Sequence, residues 1–573
     1  RPMRESSGEP GRLIAWSRRR IAGSEGSCLT DAVVFEKLVR VPHAARRAEI
    51  RRAGRCAVAR RTAHAPCSNL SKQSTAIVTG TVAFDDTAID LDFDQGGVLK
   101  KEYTLLQAGN LTGTYDPSLA SLPSQFRGTI TDENNALKLG LAYVGGNFNF
   151  SALGRGVNDQ LVKAFNDGVP LTGTLSAGML QSGSAYEAAM TTLGGELGIN
   201  ATMTANLGMQ DFLRRSSNPS RLFTGWRPIE EKEDDALPSA NETSALAYWN
   251  LGTPSSRQPQ WDWASAGRGA TYGGSSGGSY GAPYAPYRSL TPANSIWLEY
   301  NGETASVDGD SGAGNSGADI TGNIVEGGYL AQLDDTTAIG FVFGGGQTRY
   351  DQTEQNGSAD SQSLHAAVTA AGQTAQGLYG LATVGLGVDS IDTERTVAFG
   401  TTSDRLRGSY SATTFGGRFE AGGRIVNGGM AFIPFAAASA VYTSAPSYQE
   451  EVAAGLGSSA LAYSDSSLFR GTVEAGLGFD TAAGDYAQRF SFNSRVSYLY
   501  RYGGGGNANA SFLALPGYGF SISSNAPTGS AVTANIGARI QLTPQADLSL
   551  GAYGEWGAEY SALIASAKLR YIW

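Results

Sequence analysis

The sequence predicts an all-β chain: a 12-stranded antiparallel transmembrane β-barrel at the C-terminus, preceded by a short β-solenoid remnant and a low-complexity linker. Three observations carry this reading. No run of 18 apolar residues occurs in the 573, so a helical membrane span is excluded, whereas 41% apolar residues with 76 glycines suit strands that alternate and stay near neutral in hydropathy. From residue 295 onward, 12 runs alternate apolar and polar with period two. Their connections alternate too, tight after even-numbered runs and mostly long after odd-numbered ones.

The first element, 1–73, is a basic leader. Residues 1–70 hold 15 Lys/Arg against 6 Asp/Glu, a net of +9, and the whole chain carries −9, which leaves −18 for everything after them. All three cysteines, Cys28, Cys56 and Cys67, lie there, and the cysteine-free remainder fits export through an oxidising compartment. The leader begins with Arg1 and lacks a 7-to-15-residue apolar core, so as written it is not a signal peptide. Its scattered pairs Arg46-Arg47, Arg51-Arg52 and Arg60-Arg61 could form a nucleic-acid or anionic-membrane patch; disordered or mis-assigned sequence is favoured, and no nucleic-acid partner is expected.

The second element, 74–215, begins with short apolar runs broken by Gly, Asp and Asn: Ile77-Val78, Val82 to Phe84, Ile89 to Phe93, Tyr103 to Leu106, Leu139 to Tyr143 and Phe148 to Phe150. Over 74–180 these read as a few stacked β-solenoid coils. Then Tyr186, Met190, Leu193, Leu197, Met203, Leu207, Phe212 and Leu213 recur at helical spacing, interrupted by Gly194-Gly195, and predict an amphipathic helix. The third element, 216–294, is a linker by composition, with Glu230 to Asp235 charged throughout and Gly273 to Gly281 rich in Gly and Ser.

The fourth element, 295–573, is the barrel. The expected strands are 295–306, 319–333, 337–351, 361–374, 376–391, 405–426, 429–447, 467–481, 486–502, 528–542, 546–556 and 561–573. Between Arg489 and Tyr502, one face carries Phe490, Phe492, Val496, Tyr498, Tyr500 and Tyr502 and the other Arg489, Arg495 and Arg501; arginines facing lipid would be very costly, so they are assigned to a wet lumen. Arg470 and Glu474 are assigned to the lumen on the same grounds. The closing strand puts Leu563, Ala565, Ala567, Leu569, Tyr571 and Trp573 on one face and Ser566, Lys568 and Arg570 on the other. The tight turns are Asp334-Asp335, Thr374-Ala375, Asn427-Gly428, Ala483 to Asp485 and Thr543-Pro544, of which Asn-Gly is the strongest hairpin signal. A soluble sandwich would alternate as well, but its outer face would be polar.

Motifs that suggest catalysis lack their surroundings. Gly309-Asp-Ser-Gly312 has upstream histidines only at His43 and His64, both in the leader, and the two G-x-S-x-G matches within 274–281 lie in the linker without flanking strand or helix. Asp308, Asp310 and Asp319 would begin and end a calcium loop whose fifth position is Gly312 and whose sixth is Ala313; a solvated loop is the better reading. His365 stands alone on a strand. No catalytic, cofactor or metal site is therefore expected.

The residues resemble a known family, the bacterial autotransporters of type V secretion. Leu91 to Gly96 and Tyr103 to Tyr115 resemble the end of their β-helical passengers, and Thr192-Leu-Gly-Gly-Glu196 resembles their Leu-Ser-Gly-Glu junction, with Gly194 in place of Ser. Pro516 to Phe520, Gly557 to Tyr560 and Leu569 to Trp573 resemble the translocator barrel; Lys568 departs from the Gly frequent there. The resemblance implies a monomeric barrel in the lipid of the Gram-negative outer membrane, delivered by periplasmic chaperones. It also implies insertion by the β-barrel assembly machinery, with Leu569, Tyr571 and Trp573 as the assembly signal. The upstream chain would cross to the cell surface without ATP, and 74–180 would template passenger folding. A passive porin and a surface adhesin are the alternatives.

Overall fold

The computed structural model describes residues 75–218 and 294–573, apart from short stretches at 90–92, 94–95, 117–121, 335, 375, 428–429, 482–489 and 504–505, and all of these residues fall within one unit, Lys72–Trp573. The leader, nearly all of the linker, three of the five tight turns in part and Ala483 to Asp485 wholly, and Arg489 lie outside the described residues.

The upstream part opens with β1 (Ala76–Ala88), β2 (Glu102–Asp116), β3 (Phe126–Glu133) and β4 (Ala136–Tyr143), joined in the order β1-β2-β4-β3. Only β1 and β2 pair in parallel, as stacked coils would; β3 and β4 form an antiparallel hairpin turned by Asn134 and Asn135, both at positive φ. The rest of the span read as coils is helical: α1 (Ala152–Asn166) and α2 (Gly173–Met179). Leu153, Val157, Leu161 and Phe165, spaced by four and all buried, are the helical signal that the coil reading passed over. The helix expected around 186–213 is two, α3 (Ser184–Leu193) and α4 (Leu197–Ser216), broken at the diglycine.

Downstream, the twelve long strands are β5 (Ser295–Val307), β6 (Ala318–Gln332), β7 (Thr337–Gln352), β8 (Gly357–Gln373), β9 (Leu378–Phe399), β10 (Thr402–Gly423), β12 (Met430–Ala445), β16 (Ser466–Asp480), β17 (Phe490–Tyr502), β20 (Gly529–Gln541), β21 (Ala546–Gly557) and β22 (Tyr560–Ile572). Short strands β11 (Ile425–Asn427), β13 (Tyr448–Gln449), β14 (Glu451–Ala454), β15 (Leu461–Tyr463), β18 (Asn507–Phe512) and β19 (Gly519–Ser523) edge the rims. The sheet is closed and antiparallel, with β22 pairing β5 at the seam. Beyond the last pair, Trp573 N–H donates to Asn294 O at 3.0 Å and Asn294 N–H to Trp573 O at 3.1 Å.

One expectation about the connections is corrected. The odd-numbered connection after β9 is only Gly400-Thr401, because β9 and β10 run 22 residues each, through the span 392–404 expected as a loop. Alternation explains the difference. Outward positions of β9 are Leu378, Ala382, Val384, Leu386 and Val388, then Ser390, Asp392, Glu394 and Thr396. The apolar part, 378–388, covers about 25 Å along the barrel axis at the usual strand tilt, the height of a lipid-facing band. The hairpin therefore continues beyond the apolar band, where outward charges meet water and Arg405 and Arg407 bind Glu394.

Candidate functional site

Helix α4 occupies the barrel lumen. Its residues are buried nearly all round, which a single-faced amphipathic helix on a surface would not be. Leu197, Ala201, Met203, Ala205 and Leu207 pack on inward Ala305, Ile320, Ala359, Ile391, Ala412 and Leu468, small and branched side chains that leave room for a helix. Further along, Met209, Phe212 and Leu213 meet Trp297, Val342, Ala367 and Val441. Twelve strands leave a lumen wide enough for one helix about 10–12 Å across. Polar contacts fix its position: Asn206 Nδ2 donates to Thr443 Oγ1 at 3.0 Å and Arg215 Nε donates to Glu326 Oε1 at 2.7 Å. Arg214 lies 3.3 Å over the Tyr553 ring.

At and beyond the end of α4, the wall is laced by ion pairs. Arg418 Nη2 donates to Glu420 at 3.0 Å and to Glu474 at 2.8 Å, and Arg495 Nη2 donates to Glu420 at 2.7 Å while covering the Phe435 ring. Arg501 pairs with Glu555, and Arg570 with Asp547 at 2.6 Å. Of the residues assigned to the lumen from sequence, Arg495, Arg501 and Glu474 thus sit in these pairs. Arg470 is buried on β16 with both terminal nitrogens unbonded, and Arg489 is outside the described residues. Leu569, Tyr571 and Trp573 point outward, each about half exposed. The rings of Tyr571 and Tyr329 flank Trp573 at 6.1 and 6.2 Å. Lys568, inward, stands in register with Glu299 across the seam, an opposite-charge cross-strand pair.

At the rim of the odd-numbered connections, the upstream elements and the barrel share one hydrophobic core. Leu153, Val157, Leu161, Leu175, Met190 and Leu193 from the helices pack with Val397, Leu406, Leu461, Phe512, Phe520 and Ile522 from the barrel. Two buried carboxylates record this junction. Asp404 accepts from Thr174 Oγ1 at 2.5 Å and from the backbone N–H groups of Leu456, Gly457 and Ser459 at 2.9, 2.7 and 3.2 Å. Glu196, just before α4, accepts from Ser316 N–H at 2.7 Å, Gln352 Nε2 at 2.8 Å and Gln355 Nε2 at 3.1 Å. Burial pushes its carboxyl up to about 7. No sequence signal marked Asp404, whose role rests on a loop 52 residues away; Glu196 was quoted only for its motif.

Of the motifs weighed for catalysis, Gly309 to Gly312 serves structure, whereas His43, His64 and the G-x-S-x-G matches within 274–281 lie outside the described residues. Asp310 Oδ1 accepts from Gly312 N–H at 2.9 Å and Ala313 N–H at 3.1 Å, and the carbonyls of Gly312 and Ala313 accept from Ala152 and Leu153 N–H, the first donors of α1. His365 faces the lumen with its ring 5.3 Å from Phe212. Among the described residues, no group of three or more His, Cys, Asp or Glu could hold a metal ion.

A family described as the autotransporter beta-domain matches residues 296–553. No curated protein matches the chain. Among solved structures, the translocator domain of the autotransporter NalP from Neisseria meningitidis is similar at 11% identity and TM-score 0.40, over 49% of this chain and 88% of that one. The beta domain of the Bordetella autotransporter Brka is similar at 15% identity and TM-score 0.36, over 49% and 99%. The toluene transporter TodX of Pseudomonas putida is similar at 13% identity and TM-score 0.33, over 50% and 90%. With the closed barrel of twelve long strands and a helix of the same chain inside it, the match over 296–553 identifies the barrel part of this chain as an autotransporter beta-domain, an outer-membrane translocator for a passenger.

Proposed function

We propose that this barrel carries its own upstream segment, 74–215, to the cell surface without ATP, and holds the segment's end there by plugging the lumen with α4 and seating α1–α3 on the outer rim. The observation that carries the reading is the continuity of the chain: the rim-docked helices lead directly into α4, which descends the lumen to Arg215 and Ser217. An extended chain needs about 8–10 residues to cross ~30 Å of bilayer core, so a linker over 216–294 has ample reach back to β5. The parallel pair β1–β2 supports a role for 74–180 as a folding template for chain upstream. A passive channel is disfavoured by the filled lumen.

Protease added to intact cells tests this. Cleavage within 74–150 with the barrel protected is expected; full protection of that region while the barrel sits in the outer membrane would sink the proposal. The barrel-assembly machinery and periplasmic chaperones are proposed partners, with Leu569, Tyr571 and Trp573 as the signal. Support comes from their outward aromatic and apolar side chains on the strand that closes the seam. Deleting Trp573 should reduce heat-modifiable barrel in the outer membrane severalfold at unchanged expression; an undiminished barrel band refutes the assignment.

A further inference from the structure

At the mouth of the lumen, three tyrosine rings stand in a column. Tyr410 of β10, Tyr448 of β13 and Tyr463 of β15 stack with centroids 4.4 and 4.7 Å apart and planes within 19° and 11° of parallel. An ion pair fixes the column from behind. Arg395 Nε donates to Glu450 Oε1 at 2.6 Å and its Nη2 to Glu450 Oε2 at 2.8 Å, while Glu450 Oε2 also accepts from Leu461 N–H at 2.9 Å, tying together the short strands that carry Tyr448 and Tyr463. Arg395 also reaches Thr192 O on the upstream side.

The column faces the break between α3 and α4. Tyr463 donates to Gly195 O at 2.7 Å and Tyr410 to Gly198 O at 2.8 Å, so two hydroxyls read two carbonyls three residues apart. Both positions admit only glycine. Gly195 has φ +65, and a methyl there would lie 2.6 Å from the Tyr463 hydroxyl; at Gly198 it would overlap the Tyr448 hydroxyl and lie 2.7 Å from the Tyr463 ring. The middle hydroxyl, on Tyr448, is buried without a hydrogen-bond partner, a cost that a purely structural stack would avoid by using Phe.

We propose that the Tyr410–Tyr448–Tyr463 column is a stop for the translocating chain. Segments with side chains slide past it, and the chain halts when the Gly195–Gly198 step arrives and its carbonyls take the two outer hydroxyls. This sets which residues rest in the lumen, so that Asn206 comes to Thr443 and Arg215 to Glu326. The inference rests on the reading that the chain moves through the lumen.

The test reports register. In full-length protein with Cys28, Cys56 and Cys67 replaced by Ser, Asn206→Cys and Thr443→Cys are joined by a short thiol crosslinker in intact cells, and surface protease reports export of 74–150. The parent should crosslink efficiently. Gly195→Ala, Gly198→Ala and Tyr448→Ala should each still form a heat-modifiable barrel and expose 74–150, yet lose the crosslink at least tenfold. Tyr448→Ala adds no bulk to the lumen, so a full crosslink in that variant overturns the stop however the glycine variants fold. A parent whose 74–150 segment never reaches the surface overturns the translocation reading and the stop together, whereas normal export with an unchanged crosslink overturns the stop alone.

Discussion

Two regions of this molecule bury carboxylates in opposite ways. Around the end of α4, Glu420, Glu474, Glu326 and Asp547 each face a guanidinium, at 2.6–3.0 Å. At the rim, Asp404 and Glu196 are held instead by backbone N–H, hydroxyl and amide donors. Most of the lower pairs join one barrel strand to another, so they brace the wall whether or not a passenger end is present. The rim contacts join two parts of the chain: Thr174 reaches down to Asp404, and Ser316 and Gln352 hold Glu196 of the upstream part. Apart from Glu326, which holds Arg215 of α4, the first set therefore belongs to barrel stability and the second to docking.

The largest effect should come from breaking the wall. Arg418→Ala leaves Glu474 and one oxygen of Glu420 without their guanidinium partner, which costs about 3–5 kcal/mol in a buried network, and should lower the temperature at which the heat-modifiable band is lost. If that temperature holds while docking weakens, the division between the regions is wrong. Asp404→Ala comes next. It strands the N–H groups of Leu456, Gly457 and Ser459 and should loosen docking by about 2–3 kcal/mol, seen as faster proteolysis of 152–193 with unchanged barrel melting. The smallest effect is a pH dependence at Glu196. Its folded value of about 7 lies above the ordinary 4.5, so its contribution to docking is full below pH 4.5 and is lost as pH rises through 7. Hydrogen exchange of 197–204, corrected for intrinsic rate, should quicken between pH 5.5 and 8. Glu196→Gln should flatten that rise, and an equal rise in both proteins would show that Glu196 is not its source.

Much of the barrel was legible because its signal is local. A strand that separates lipid from lumen must alternate at every residue, so the outward Phe490, Phe492, Val496, Tyr498, Tyr500 and Tyr502 can be read without knowing what they face. The same rule misled where it stopped marking lipid: the alternation of Asp392, Glu394 and Thr396 continues a strand in water, and without an apolar outer face it reads as a loop. In the upstream part, α1 was hidden because Phe148 and Phe150 and the hairpin before them set a strand-like expectation just ahead of Ser151, whose Oγ accepts from Gly154 N–H at 3.0 Å to cap the helix.

By itself, then, the sequence determined the closed sheet, the number of long strands and the lipid-facing side of each, since these follow from period-two alternation and turn chemistry. Only the tertiary structure decided that α4 fills the lumen, that the rim completes the core of α1–α3, and that Tyr410, Tyr448 and Tyr463 stand against Gly195 and Gly198. The physical reason is range. Alternation is imposed residue by residue, whereas Tyr463 and Gly195 are 268 positions apart and meet only once the barrel has closed around the helix.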